Sequence, residues 1–133
     1  MSVALRYHPA PSPEDRTHIV AITALRRVFD AWRLTGADAA RLVGVSDRTW
    51  SRMKAEAWSG TLSDDGLTRA SALIGLYKAL HLYFTDDLAD RWVRLPNRGP
   101  LFGGETPAAH MARGGLPAIL ATRDYVDALR GGM

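Results

Sequence analysis

The sequence predicts an all-α fold in two consecutive helical modules. Three observations carry this expectation. Apolar residues recur at steps of three and four, as on one face of a helix. No stretch alternates apolar and polar residues as a half-buried strand does. The stretches are separated by glycines, prolines and helix-capping residues. With 133 residues the chain has room for one compact domain or two small ones sharing a core.

Residues 1–13 contain Pro9, Pro11 and Pro13, and a flexible leader is expected over 1–15. Asp15 or Thr17 then caps a first helix, over about 16–34, whose apolar stripe runs from Ile19 through Ile22, Leu25, Phe29 and Trp32. Gly36 offers a stop. Ala37 to Val43 reads as a short helix closed by Gly44. Ser46 is placed to cap the next, from Asp47 to about Trp58. The polar stretch 59–66 marks a boundary, giving modules over 16–59 and 60–133. Leu67 to Phe84 keeps helical spacing, and Thr85 or Asp86 caps a helix that turns Leu88, Trp92 and Val93 inward. Residues 95–104 hold too many prolines and glycines to be anything but a loop. Thr106-Pro107 is a cap followed by proline in the first helical position. Gly114-Gly115 ends that helix, and Pro117 opens a last one carrying Leu120, Val126 and Leu129.

Charge is distributed unevenly. Residues 1–59 carry nine Lys/Arg against six Asp/Glu, whereas residues 60–133 carry eight of each, so the whole net charge of +3 lies in the first module. That balance suits a polyanion partner there. The sequence has no cysteine, which removes disulfides and thiolate metal sites and fits a reducing compartment. The first residues lack the apolar core of a signal peptide and no apolar run reaches bilayer length, so a cytoplasmic protein without membrane attachment is expected.

The segment from Gly36 to Lys54 has the requirements of a helix-turn-helix. Two helices crossing closely need a small residue at the crossing, Ala40, and a turn residue able to take a left-handed backbone, Gly44 four positions later. Val43, Val45, Trp50 and Met53 supply the buried side. The outward side of the second helix is then Asp47, Arg48, Ser51, Arg52 and Lys54. Arg48 and Arg52 have the chemistry to pair with guanine edges or phosphates, and Ser51 and Lys54 extend that face. The same spacing also fits a plain helical hairpin with solvated arginines.

In the second module, Trp92, Pro96, Asn97, Leu101, Gly103 and Pro107 form the succession W-x-x-x-P-N-x-x-x-L-x-G followed by a proline-started helix. With the helix-turn-helix before it, this resembles the Xre/MbcA/ParS-type antitoxins of toxin–antitoxin systems, nearest to the ParS branch. The likeness covers roughly residues 15–133. It implies an Xre-like helix-turn-helix module and a helical toxin-binding module. It implies as partner a cognate RES-domain toxin, an NAD-consuming enzyme that degrades NAD or transfers ADP-ribose. It further implies that the last helix and tail block the toxin's active site, which carries over to Tyr125, Leu129, Arg130, Gly131, Gly132 and Met133. Autorepression at operator DNA and a homodimer are also expected, the latter through leftover apolar residues such as Phe29, Trp32, Leu82 and Tyr83.

No catalytic centre, metal site or cofactor is expected. The four histidines, His8, His18, His81 and His110, have no zinc-ligand spacing. Asp64-Asp65 and Asp86-Asp87 sit where helix starts favour negative charge. His81 reads as a partly buried structural histidine. No phosphate-binding glycine motif is present. A stand-alone helix-turn-helix regulator without a toxin partner is the alternative.

Overall fold

The computed structural model describes residues 12–131. Among these the chain forms six α-helices, one 3-10 turn and no strand. Helix α1 spans Pro13–Ala31, α2 Gly36–Val43, α3 Asp47–Lys54, α4 Asp64–Tyr83, α5 Asp86–Arg91 and α6 Pro107–Arg130, with a 3-10 turn at Trp92–Arg94.

Several boundaries differ from the sequence expectation for local reasons. Helix α1 opens at Pro13, whose fixed φ suits a first turn, so Asp15 and Thr17 lie inside the helix rather than capping it. The Thr17 hydroxyl donates back to the Pro13 carbonyl at 3.0 Å. Gly36 does not stop α1. Arg33 does, at φ 54, while the Leu34 N–H donates to the Phe29 carbonyl at 3.1 Å; Gly36 is already the first residue of α2. Helix α3 stops at Lys54, short of Trp58, because Glu56 turns left-handed at φ 58 and the Ala57 N–H bonds the Arg52 carbonyl. Helix α4 starts earlier than Leu67, since Ser63 accepts from the Gly66 N–H at 3.0 Å and draws Asp64 and Asp65 into the first turn. The expected break at Gly114-Gly115 is a kink inside α6, at Gly115 with φ 70 and ψ −154. It divides α6 into arms 107–114 and 116–130.

One apolar core runs through the whole fold. Leu25, Trp32, Leu42 and Trp50 meet Leu73, Leu76, Leu80, Val93, Met111, Ile119 and Val126, all essentially without solvent access. Helix α4 is the central strut, packing most extensively on α6, then on α1, and touching α2 and α5. His18 is buried too, and its Nδ1 accepts the Leu62 N–H at 3.0 Å, pinning α1 to the segment leading into α4. Three apolar expectations are corrected. Ile19, at the head of the α1 stripe, is exposed. Phe29 and Trp32 are core residues and unavailable for self-association, leaving only Leu82 and Tyr83 of that set exposed. Leu120 points outward, because its neighbour Ile119 takes the inward position. No helix among the described residues is long and apolar enough to cross a membrane.

Candidate functional site

Two surfaces emerge, one on α3 and one around the loop before α6. The first rests on tightly fixed helix ends. Thr35 caps α2, accepting the Asp38 N–H at 3.1 Å, and Ser46 caps α3, accepting the Thr49 N–H at 3.1 Å. Between them Gly44 adopts φ 85, a backbone that an L side chain enters only at a cost. Ala40, Val43, Trp50 and Met53 are buried at the crossing, Val45 is half-buried, and the Trp50 ring meets Phe29 edge-on at 5.3 Å. Asp47, Arg48, Ser51, Arg52 and Lys54 are all exposed on one helix of eight residues, as the spacing predicted. Arg52 also donates to the Ala57 carbonyl at 3.3 Å.

Sequence reasoning missed Arg69, which ties this unit to α4. Its Nη1 donates to the Arg41 carbonyl at 3.1 Å, at the end of α2, and its Nε donates to Asp65 at 2.8 Å. A cation at a helix carboxyl end meets unpaired carbonyls and the negative end of the helix dipole. A Cβ on Gly44 would stand 3.1 Å from this guanidinium. The Asp65–Arg69 spacing was visible in the sequence as a helical ion pair; the reach to α2 was not.

The second surface is organised by Asn97. Its N–H donates to the Glu105 carbonyl at 3.0 Å, its carbonyl accepts the Gly104 N–H at 2.8 Å, and its Oδ1 accepts the Gly99 N–H at 2.8 Å. The asparagine thus closes the loop with main chain and side chain together, as its self-bonding chemistry allows. Pro96 is exposed just before it, and Gly103, at φ 58, is exposed on the return. Thr106 caps α6 by accepting the Ala109 N–H at 3.1 Å, with Pro107 buried in the first turn. Beneath the loop, Trp92 meets Phe102 edge-on at 5.8 Å and stacks near Tyr125 at 6.3 Å, while Phe102 meets Tyr125 at 5.2 Å. Such ring pairs fix geometry beyond their apolar burial. Phe102 is the member that sequence reasoning did not single out.

Tyr125 therefore has its ring in this cluster, and Leu129 is half-buried on the same arm. Gly131 is exposed, with its N–H on the Asp127 carbonyl at 2.9 Å. The Arg130 side chain, Gly132 and Met133 lie outside the described residues.

Two ionic clusters flank the loop region. His81 stands between Asp86 at 3.0 Å and Asp90 at 2.8 Å, with its ring on Tyr77 at 4.4 Å. Burial pulls its pKa down, but the hydrogen bonds and charges of both carboxylates outweigh burial and raise it above the ordinary value. Burial, and then the charges of Asp90 and Asp86, push the Tyr77 phenol up. At the start of α6, Arg113 grips Glu105 with two nitrogens, which holds that carboxyl below its usual range.

Family models match both regions. Residues 16–75 match the antitoxin Xre-like helix-turn-helix domain, and residues 79–132 match the antitoxin Xre/MbcA/ParS C-terminal toxin-binding domain. The chain belongs to the Xre/MbcA/ParS antitoxin family. The antitoxin is 34% identical over 124 residues to a Sinorhizobium fredii protein described as uncharacterized protein y4oB, covering 92% of this chain and 94% of that one. Its fold is similar to that of a chain in the crystal structure of the M. tuberculosis MbcT-MbcA toxin–antitoxin complex, with a TM-score of 0.57 and 22% identity over 86% of the antitoxin and 96% of that chain. The two matched regions meet inside α4, the helix that both surfaces share as support.

Proposed function

We propose that this antitoxin acts in the cytoplasm by binding a RES-domain, NAD-consuming toxin and blocking its active site with the carboxyl end of α6. The single observation that carries this reading is the toxin-binding family match over 79–132, which takes in the Asn97 loop, the aromatic cluster and both arms of α6. The fold likeness to a chain of a toxin–antitoxin complex supports it. The aromatic cluster holds the second arm of α6 at Tyr125, close to Leu129 and the carboxyl end of the helix, and in the sequence Arg130 and Gly131–Met133 follow directly. Glycines there suit entry of backbone into a narrow cleft, and Arg130 suits groups that otherwise hold phosphate. The test measures NAD consumption by purified toxin with the full antitoxin and with a chain ending at Leu129. Full inhibition by the shortened chain removes the plug from the reading; loss of inhibition with an intact fold supports it.

The outward face of α3 favours a second activity, operator binding and autorepression. A capped helix presenting Arg48, Ser51, Arg52 and Lys54 has the dimensions and donors for the major groove. A gel shift on the gene's own upstream DNA tests it. The joint substitution Arg48→Ala and Arg52→Ala weakens specific binding on this reading, and unchanged binding rejects the role. Reading paired half-sites calls for a dimer. The exposed Ile19 and Val20 on α1, beside Ile74 and Tyr77 of α4, offer its apolar face. Ile19→Glu with Val20→Glu then gives a monomer by sedimentation velocity; an unaltered mass places the dimer contact elsewhere.

A further inference from the structure

A groove of 640 Å³ lies where the end of α1 and the outer face of α2 meet the 3-10 turn and the first arm of α6. Half of its polar lining residues are arginines. Arg33 and Arg41 come from the helix-turn-helix side, Arg94 and Arg113 from the toxin-binding side. Against them stand only Asp38 and Glu105. Asp38 pairs with Arg41 at 3.4 Å, and Glu105 is gripped by Arg113. Both acids are thereby neutralised within the groove, and its surplus charge rests on Arg33 and Arg94. Both are exposed and make no ion pair among the described residues.

We infer that this groove seats the phosphodiester backbone of DNA beside the major groove entered by α3, so that the toxin-binding domain contributes part of the grip on DNA. The inference rests on the operator-binding reading above and extends it. When the second helix of such a motif lies in the major groove, the first crosses the sugar–phosphate backbone. Here the first helix is α2, and its outward residues Asp38 and Arg41 form one wall of the groove. Phosphates bordering the site that α3 reads would therefore pass the groove mouth. Guanidinium groups suit them, because a forked donor matches two phosphate oxygens. The opposite wall is made by Arg94, Glu105, Thr106, Arg113 and an alanine-lined stretch of α6, with no helix of its own presented to base edges, so the contribution is to affinity and register and not to sequence choice. The first module alone accounts for the net positive charge of the sequence, yet two arginines of the charge-balanced half join Arg33 and Arg41 in this groove.

The experiment titrates the full chain against a fluorescent duplex from its own upstream region, and against a scrambled duplex, at several salt concentrations. Arg33→Gln with Arg94→Gln is compared with Arg33→Lys with Arg94→Lys. Each lost phosphate contact flattens the plot of log affinity against log salt by ~0.9. The glutamine pair is expected to flatten it by about 1.8 and to weaken both duplexes by a similar factor, on the order of ten-fold at low salt. The lysine pair keeps most of the slope, as a phosphate contact accepts either cation. Since both arginines are exposed and make no ion pair among the described residues, thermal melting is unchanged in both variants. A glutamine pair with the parental slope overturns the inference while leaving α3 on DNA. A glutamine pair that keeps its slope but loses toxin binding assigns the groove to an acidic surface of the toxin and also overturns it. A parental chain that ignores both duplexes rejects the operator reading itself, and the groove's role with it.

Discussion

The region from α1 to α3 and the region from the Asn97 loop through α6 solve different problems with different means. The first holds a surface. Its helix ends are closed within a few residues, by Thr35, Gly44 and Ser46, and buried Trp50 and Met53 fix which side of α3 faces out. The second holds a direction. One asparagine closes the irregular segment 95–106, three aromatic rings lock beneath it, and a kink at Gly115 sets the last arm of α6 apart from the first. A recognition helix needs its side chains presented at fixed positions, which local capping provides. A helix end offered to a partner needs its base anchored, and that takes contacts between segments far apart in the chain, which buried Ile119 and Val126 and the Tyr125 ring provide.

This contrast can be broken by substitution. Trp92→Ala removes the centre of the aromatic cluster and is expected to cost about 3–5 kcal/mol, measured by urea unfolding. Because the core is one cluster from Leu25 to Val126, the loss lowers a single transition for the whole chain; two separated transitions would show that the regions fold independently. Gly115→Ala forces a side chain into a backbone region that is essentially glycine's alone, at about 1–3 kcal/mol. It is expected to impair toxin binding more than DNA binding, and equal damage to both would deny α6 its separate role. Asn97→Ala deletes the bond to the Gly99 N–H but neither main-chain bond, for a loss of about 1 kcal/mol. Ser46→Ala, the matching lesion on the other side, costs about the same yet is expected to weaken DNA binding and leave toxin inhibition intact. The smallest effect is a pH dependence. The folded-state pKa of His81 is raised, so its ion pairs stabilise the protein fully below the ordinary value near 6.5 and are lost as pH climbs through the folded value. Melting temperature is expected to fall across that window, and His81→Gln flattens the fall.

What was legible in the sequence follows the same division. Gly44, Ser46, Thr106-Pro107 and the Gly114-Gly115 break could be read because a cap or turn is decided by residues within four positions of it. The outward set on α3 was legible because eight residues of helix fix which side chains share a face. The end of α1 was not, since nothing local marks Arg33 as the residue to turn left-handed when Gly36 stands three positions later. Nor were Arg69 on the Arg41 carbonyl or His18 on the Leu62 N–H, bonds that span 28 and 44 residues. That Phe29 and Trp32 are covered within the chain and not by a second copy escaped for a related reason: an apolar stripe shows that a face is covered but not by what, and here Trp50 of α3 and Tyr77 of α4 cover it. The Trp92 to Pro107 succession signalled the loop, yet Phe102 at its heart carried no distinguishing pattern.

The position of α4 has a practical corollary for anyone recombining such proteins. A graft joined at the polar break before α4 would mate a borrowed front half with a foreign strut. Trp32 would then find a mismatched Tyr77, and the carbonyls closing α2 would depend on whatever the donor supplied at position 69. On the operator-binding reading, chimaeras meant to change which DNA is bound are better made by transplanting the outward residues of α3 alone, leaving every helix that touches α4 in its native company.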